Sequence, residues 1–126
     1  MLRVIQTAQA PAAIGPYSQG MLVPPFLFTA GQVGLDPETG EIVRGGVVAE
    51  ARQALRNVKA IIEAAGGRLE DVVKTTIFLA DMQDFKSFNE VYAEFFPHRY
   101  PARSTVAVAA LPKGARVEIE AVAHWQ

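Results

Sequence analysis

"YPARSTVAVAALPKGARVEIEAVA", residues Tyr100 to Ala123, holds two apolar, strand-like runs that meet at a Pro-Lys-Gly turn. A cation, Arg103, stands at the entrance of the first run, and two carboxylates, Glu118 and Glu120, occupy alternate positions of the second. Period-2 alternation puts Val117, Ile119, Ala121 and Ala123 on one face of the last strand and Glu118, Glu120, Val122 and His124 on the other. In the first run Arg103, Thr105, Ala107 and Ala109 share a face. Whether Arg103 joins Glu118 depends on register. A pairing such as Ala107 opposite Glu118 places the two together, and a slip of one residue separates them. If they coincide, that face is too apolar for free solvent, given Ala107, Ala109 and Val122, and packing against another copy of the chain is expected. The natural consequence is a homo-oligomer with sites between subunits.

Upstream of this stretch, Phe85, Phe88, Tyr92 and Phe95 form one stripe of a helix that Pro97 ends, with Asp81 and Asp84 both qualified to cap it. Asp71 to Ala80, "DVVKTTIFLA", is rich in β-branched residues and reads as a central strand. Before it, Ala51, Leu55, Val58, Ile62 and Ala65 recur at helical spacing. Arg52, Arg56, Lys59 and Glu63 take the opposite side, and Gly66-Gly67 stops the helix. The first third of the chain reads as strands over Arg3 to Gln6, Ser18 to Val23 and Phe26 to Val33, followed by turn chemistry around Pro37 and Gly40. The order is β-β-β-α-β-α-β-β. This predicts an α+β fold with two helices covering one face of a mixed or antiparallel sheet.

The whole chain, residues 1–126, reads as a single domain, without repeats or a linker. A formal net charge of -1 lacks the clustered basic character of a nucleic-acid footprint, so a nucleic-acid partner is not expected. There is no cysteine, which removes disulfides, thiolate nucleophiles and Cys-ligated metals. His98 and His124 have no acidic or His partner at ligand spacing, so no metal is expected. Near the N-terminus Gln6, Thr7 and Gln9 interrupt any apolar leader, and no segment has the roughly 20 apolar residues of a spanning helix. The expected location is the cytoplasm, with no membrane partner.

Four stretches carry a further reading: "APAAIGPYSQG" (Ala10–Gly20), "AGQVGLDPETGEIV" (Ala30–Val43), "ARQALRNVKAIIEAAG" (Ala51–Gly66) and the closing Tyr100–Ala123 run. In this order and spacing they resemble the RidA family, also called YjgF, the reactive intermediate deaminases. The resemblance covers nearly the whole chain. It implies a chorismate-mutase-like α+β fold, a homotrimer with three clefts between subunits, and hydrolysis of 2-imino acids to 2-oxo acids and ammonia without a cofactor. The expected substrates are 2-iminobutanoate and 2-iminopropanoate, products of pyridoxal-phosphate-dependent dehydratases. Carried over residue by residue, it implies Arg103 as the substrate-binding Arg and Glu118 as the catalytic Glu, with Tyr17 and Asn89 in the cleft and a backbone contact at Gly31. Thr105 stands where many relatives have Cys, and Ala30 where some have Ser. Both positions bear on which imino acids fit.

These residue types suit that chemistry. Arg offers a planar, permanently charged fork that binds a carboxylate in a bidentate way. A carboxylate can exchange the protons needed to hydrate a C=N bond. Two alternatives stand beside it: a trimer that binds a small carboxylic acid through Arg103 without depending on Glu118 or turning the ligand over, and an RNA-cleaving or translation-inhibiting protein, which the resemblance to this family also implies. The near-neutral charge speaks against the second, because neutralising phosphates dominates RNA affinity.

Overall fold

The computed structural model describes all 126 residues, Met1–Gln126. Seven strands and two helices follow in the order β1 (Arg3–Ile5), β2 (Gly20–Val23), β3 (Phe26–Thr29), β4 (Gln32–Val33), α1 (Gly46–Ala64), β5 (Val72–Leu79), α2 (Phe85–Phe95), β6 (Ala102–Ala107) and β7 (Val117–His124). All strands join one mixed sheet in the order β1-β2-β3-β7-β5-β6, with β4 pairing β7 beyond β3. No helix is long and apolar enough to cross a membrane.

Both helices lie on one face of this sheet, as their amphipathic spacing requires. Inward residues of α1 (Leu55, Val58, Ile61, Ile62) and of α2 (Phe88, Val91, Tyr92) join Leu27, Ile77, Leu79, Val117 and Ile119 of the sheet in one buried cluster. The α1 helix stops where the pattern predicts, at Gly66, whose φ of 98° favours glycine. Asp81 caps the short turn before α2 by accepting from the Gln83 N–H at 2.9 Å, whereas Asp84 makes no side-chain cap bond. Trp125 packs against the core and lies over Gly67, where a Cβ would stand 2.7 Å from the indole ring.

Two sequence expectations need correction. The last two strands do not pair with each other, because β5 lies between them. β6 pairs parallel with β5 (Thr75 beside Arg103), and β5 pairs antiparallel with β7 (Phe78 beside Glu118). The β5-α2-β6 segment is a crossover that returns parallel to its starting strand, and the apolar stripe of α2 leads the chain over the sheet instead of straight back. The second correction concerns Phe26 to Val33, which is two strands. Between the pairs Phe28–Val122 and Gln32–Ile119 the chain advances four residues against three on β7, which is a β-bulge at Thr29–Gly31. The Thr29 hydroxyl accepts the Ala121 N–H within it at 3.0 Å. There are therefore four strands before α1, not three.

The helix-free face carries Phe26, Phe28 and Val106, each more than 40 % exposed, beside Lys74, Thr76, Phe78, Glu118 and Glu120. Isolated exposed apolar residues are ordinary, but three on one sheet face form an unpartnered surface.

Candidate active site

Arg103 and Glu118 fall on opposite faces of the sheet. Thr75 is the ladder neighbour of Arg103 and Phe78 that of Glu118, and these two β5 residues differ by an odd number. The register question is thereby answered for a single chain: the cation faces the helices and the carboxylate faces away. Each anchors its own cavity.

The first cavity, about 320 Å³, is lined by Arg103, Asn89, Tyr92, Ala93, Tyr100 and Pro101. The Arg103 guanidinium forms no ion pair, since the chain's two salt bridges are Arg52–Glu94 and Arg116–Glu50. Aromatic rings surround it instead, with its Cζ 4.8 Å from the centroid of Tyr92, 5.5 Å from Phe85 and 5.7 Å from Phe88. Two buried polar atoms stand close by in the fold without a hydrogen-bond partner, Asn89 Oδ1 and Thr105 Oγ1. Thr105 lies two residues beyond Arg103 on the same face of β6. Buried polar atoms left unpaired are rare, and a polar ligand would satisfy them.

The second cavity, about 510 Å³, brings Tyr17, Gly31 and Glu118 together, with Ile14 and Lys113 also lining it. The bulge puts the Gly31 backbone against the Glu118 side chain, and a Cβ at position 31 would meet the carboxylate carbon at 2.7 Å. Gly31 has no positive φ, so it is space for Glu118, not backbone freedom, that requires glycine here. Glu118 is half-buried. Burial pushes its carboxyl above the usual range, and the like charge of Glu120 adds to the effect. Glu120 itself lies outside this cavity, beside Thr76 and Lys74. Tyr17 is half-exposed and fills no gap in the core.

Several supporting residues escaped the sequence reading. Gln19, 3 % exposed, accepts the Thr7 N–H and donates to the carbonyls of Thr7, Ala10 and Pro11, while its own carbonyl takes the Ala30 N–H. It ties the loop carrying Tyr17 to the bulge carrying Gly31. Asn57, fully buried on α1, donates to the carbonyls of Val33 and Leu35 and so holds β4 in place. Lys113 reaches across the cavity mouth to donate to the Gly40 carbonyl at 3.1 Å, from a backbone φ of 56° that costs a non-glycine residue energy. Gln19 and Asn57 were flagged only by lying inside the quoted motifs, and Lys113 by the Pro-Lys-Gly turn.

If Glu118 does chemistry, its seat on Gly31 matters. Gly31→Ala is expected to leave circular dichroism and assembly unchanged yet lower kcat/KM by about 10- to 10²-fold, because the displaced carboxylate loses its alignment. Wild-type kinetics in a folded Gly31→Ala variant would rule that seat out as functionally relevant.

Comparison with known proteins adds to this geometry. Residues 7–125 match the family model described as Endoribonuclease L-PSP. The chain is 55 % identical over 121 residues to the 2-iminobutanoate/2-iminopropanoate deaminase of Homo sapiens, an alignment covering 96 % of this chain and 88 % of that one. Among solved structures, the YjgF gene product of E. coli is 49 % identical with a TM-score of 0.94, covering 98 % of this chain and 99 % of that one. E. coli TdcF with bound serine is 47 % identical with a TM-score of 0.95, over the same shares of the two chains.

Proposed function

The chain belongs to the Endoribonuclease L-PSP family, the RidA/YjgF family that its motifs resemble, and from that membership we propose that it is an imine deaminase acting in clefts between subunits of a homotrimer. Its substrates are 2-iminobutanoate and 2-iminopropanoate, named for the human relative at 55 % identity. The observation that carries the intersubunit reading is the split of the site: an ion-pair-free Arg103 on one sheet face and a Gly31-seated Glu118 on the other. Neither half is complete by itself. A ring of copies with head-to-tail contacts presents the Arg103 cavity of one subunit to the Glu118 cavity of the next, once per interface. Phe26, Phe28 and Val106 on the helix-free faces supply apolar surface for such an assembly.

The mechanism follows from charge and proton inventory. Arg103 holds the substrate carboxylate through two parallel N–H···O bonds, and Asn89 and Thr105 supply polar contacts around it. This fixes the neighbouring C=N carbon towards Glu118. Glu118 takes a proton from a water as the water oxygen bonds to that carbon, the C=N electron pair moves to nitrogen, and Glu118 returns the proton to that nitrogen. Glu118 then takes the carbinolamine's hydroxyl proton and passes it to the amine, so that C=O forms as the C–N bond breaks and ammonia leaves a 2-oxo acid. A carboxyl raised by burial holds its proton nearer neutral pH, where such exchanges are efficient. Imines hydrolyse unaided in water, so the protein has only to add positioning and acid-base catalysis, the latter worth about 10²- to 10⁴-fold.

The two half-sites offer one cation each, Arg103 and Lys113, and not the row of cations that tracks a phosphate backbone. The test is the decay of 2-iminobutanoate, generated in place by a threonine dehydratase and trapped with semicarbazide. The protein is expected to suppress trapping at catalytic concentrations. If it suppresses trapping of neither 2-iminobutanoate nor 2-iminopropanoate but binds 2-oxobutanoate through Arg103, the chain is a carboxylate-binding protein and not a deaminase.

A further inference from the structure

Tyr92 belongs to the apolar stripe of α2, and by spacing alone it is a core residue. Its surroundings are unusual for one. The ring is wedged between Phe88 and Phe96, with centroids 5.6 and 4.7 Å away, and it is 3 % exposed. Its hydroxyl shares a 2.7 Å hydrogen bond with the hydroxyl of Thr75, itself 1 % exposed. Thr75 is in turn the ladder neighbour of Arg103. The three residues close a triangle: strand pairing sets Arg103 beside Thr75, Thr75 fixes Tyr92, and the Tyr92 ring carries the guanidinium at 4.8 Å, nearer than Phe85 or Phe88.

We propose that Tyr92, locked by Thr75, is a positioning residue that holds the Arg103 guanidinium in place without neutralising it, leaving its charge for a substrate carboxylate. This rests on the reading of Arg103 as the carboxylate clamp. A carboxylate could position an arginine equally well, but it would occupy the fork that the substrate needs. An aromatic face attracts the cation through its quadrupole and leaves the in-plane N–H donors free. Tyr92 does not supply an anion in its place: burial pushes its phenol upward, against the smaller opposing effects of the Thr75 bond and the Arg103 charge. Burial thus favours the neutral phenol. The Thr75 bond gives the ring its fixed height, because a hydroxyl buried without a partner would be costly to keep there.

The experiment is a double-mutant cycle read by calorimetric binding of 2-oxobutanoate and by imine turnover. Tyr92→Leu is expected to weaken 2-oxobutanoate binding roughly 3- to 30-fold and to raise KM by a similar factor, with a smaller change in kcat. In an Arg103→Ala background the same substitution is expected to have no further effect on binding, because its action passes through the guanidinium. Tyr92→Phe and Thr75→Val each keep a platform for the cation. They are expected to give equal, smaller losses that do not add in the double variant, and they keep the test open should Tyr92→Leu fail to fold. Losses that persist in full on Arg103→Ala, or a folded Tyr92→Leu variant with wild-type binding, overturn the proposal, as does wild-type protein that does not bind 2-oxobutanoate. If wild type binds and Tyr92→Leu weakens binding while no imine is turned over, the positioning role stands and the deaminase reading falls.

Discussion

Glu118→Gln is expected to lower kcat/KM for 2-iminobutanoate by about 10²- to 10⁴-fold while the protein stays folded and assembled. The substitution keeps the size of the side chain and its place against Gly31 but cannot take a proton from water. The wild-type rate is expected to rise with pH through the Glu118 pKa, and burial together with Glu120 sets that limb higher than for an ordinary glutamate. Glu120→Gln removes the like charge and should move the limb back toward acid. Stability runs the other way. A carboxyl whose folded pKa is raised contributes stability that is complete below its unfolded pKa and lost as pH rises through the folded value. Glu118 in its ionised form is thus a net cost to stability, and Glu118→Gln should melt no lower than wild type. A Gln variant that keeps wild-type kcat would remove Glu118 from the chemistry. One that melts far lower would make its role structural.

The second large effect is restoration. Arg103→Ala alone should be close to inactive, since no other cation lines its cavity. When Arg103→Ala and Glu118→Gln subunits are mixed in equal amounts and allowed to assemble together, activity is expected to return to about a quarter of wild type. In the proposed ring each cleft would draw Arg103 from one chain and Glu118 from the next, and each draw would be intact in about half of cases. The figure of about a quarter is for the unfractionated mixture; differently tagged subunits allow mixed trimers to be isolated, and these, with one intact cleft each, are expected to reach about a third of wild type. Inactive mixed assemblies would mean that both residues serve the same cleft from one chain, or that the cleft lies elsewhere. The opposite sheet faces of Arg103 and Glu118 make recovery the direct consequence of the fold combined with a ring assembly.

How much of this was legible beforehand differs from residue to residue. The α1 helix could be read from its spacing and its glycine stop, because both act within a few turns of chain. Alternation along β7 correctly separated Val117, Ile119, Ala121 and Ala123, all buried, from Glu118, Glu120 and Val122. The order of elements was likewise legible, apart from the bulge that splits β3 from β4. That bulge arises from pairing with β7, nearly ninety residues downstream, and Phe26 to Val33 has no local signal for it. The placement of Glu118 against Gly31 depends on it.

The sequence by itself therefore determined the class of fold, the buried stripe of α1, the two faces of β7 and the identity of the chemical groups, since these follow from local periodicity and side-chain chemistry. Only the tertiary structure decided that β5 separates β6 from β7, that Arg103 and Glu118 face opposite ways, and that an apolar helical stripe doubles as the seat of a cation. Pairing between distant strands is chosen by burial of the whole core and by the hand of the crossover. Neither is encoded in any single segment, and a shift of one residue in either would reverse which groups meet.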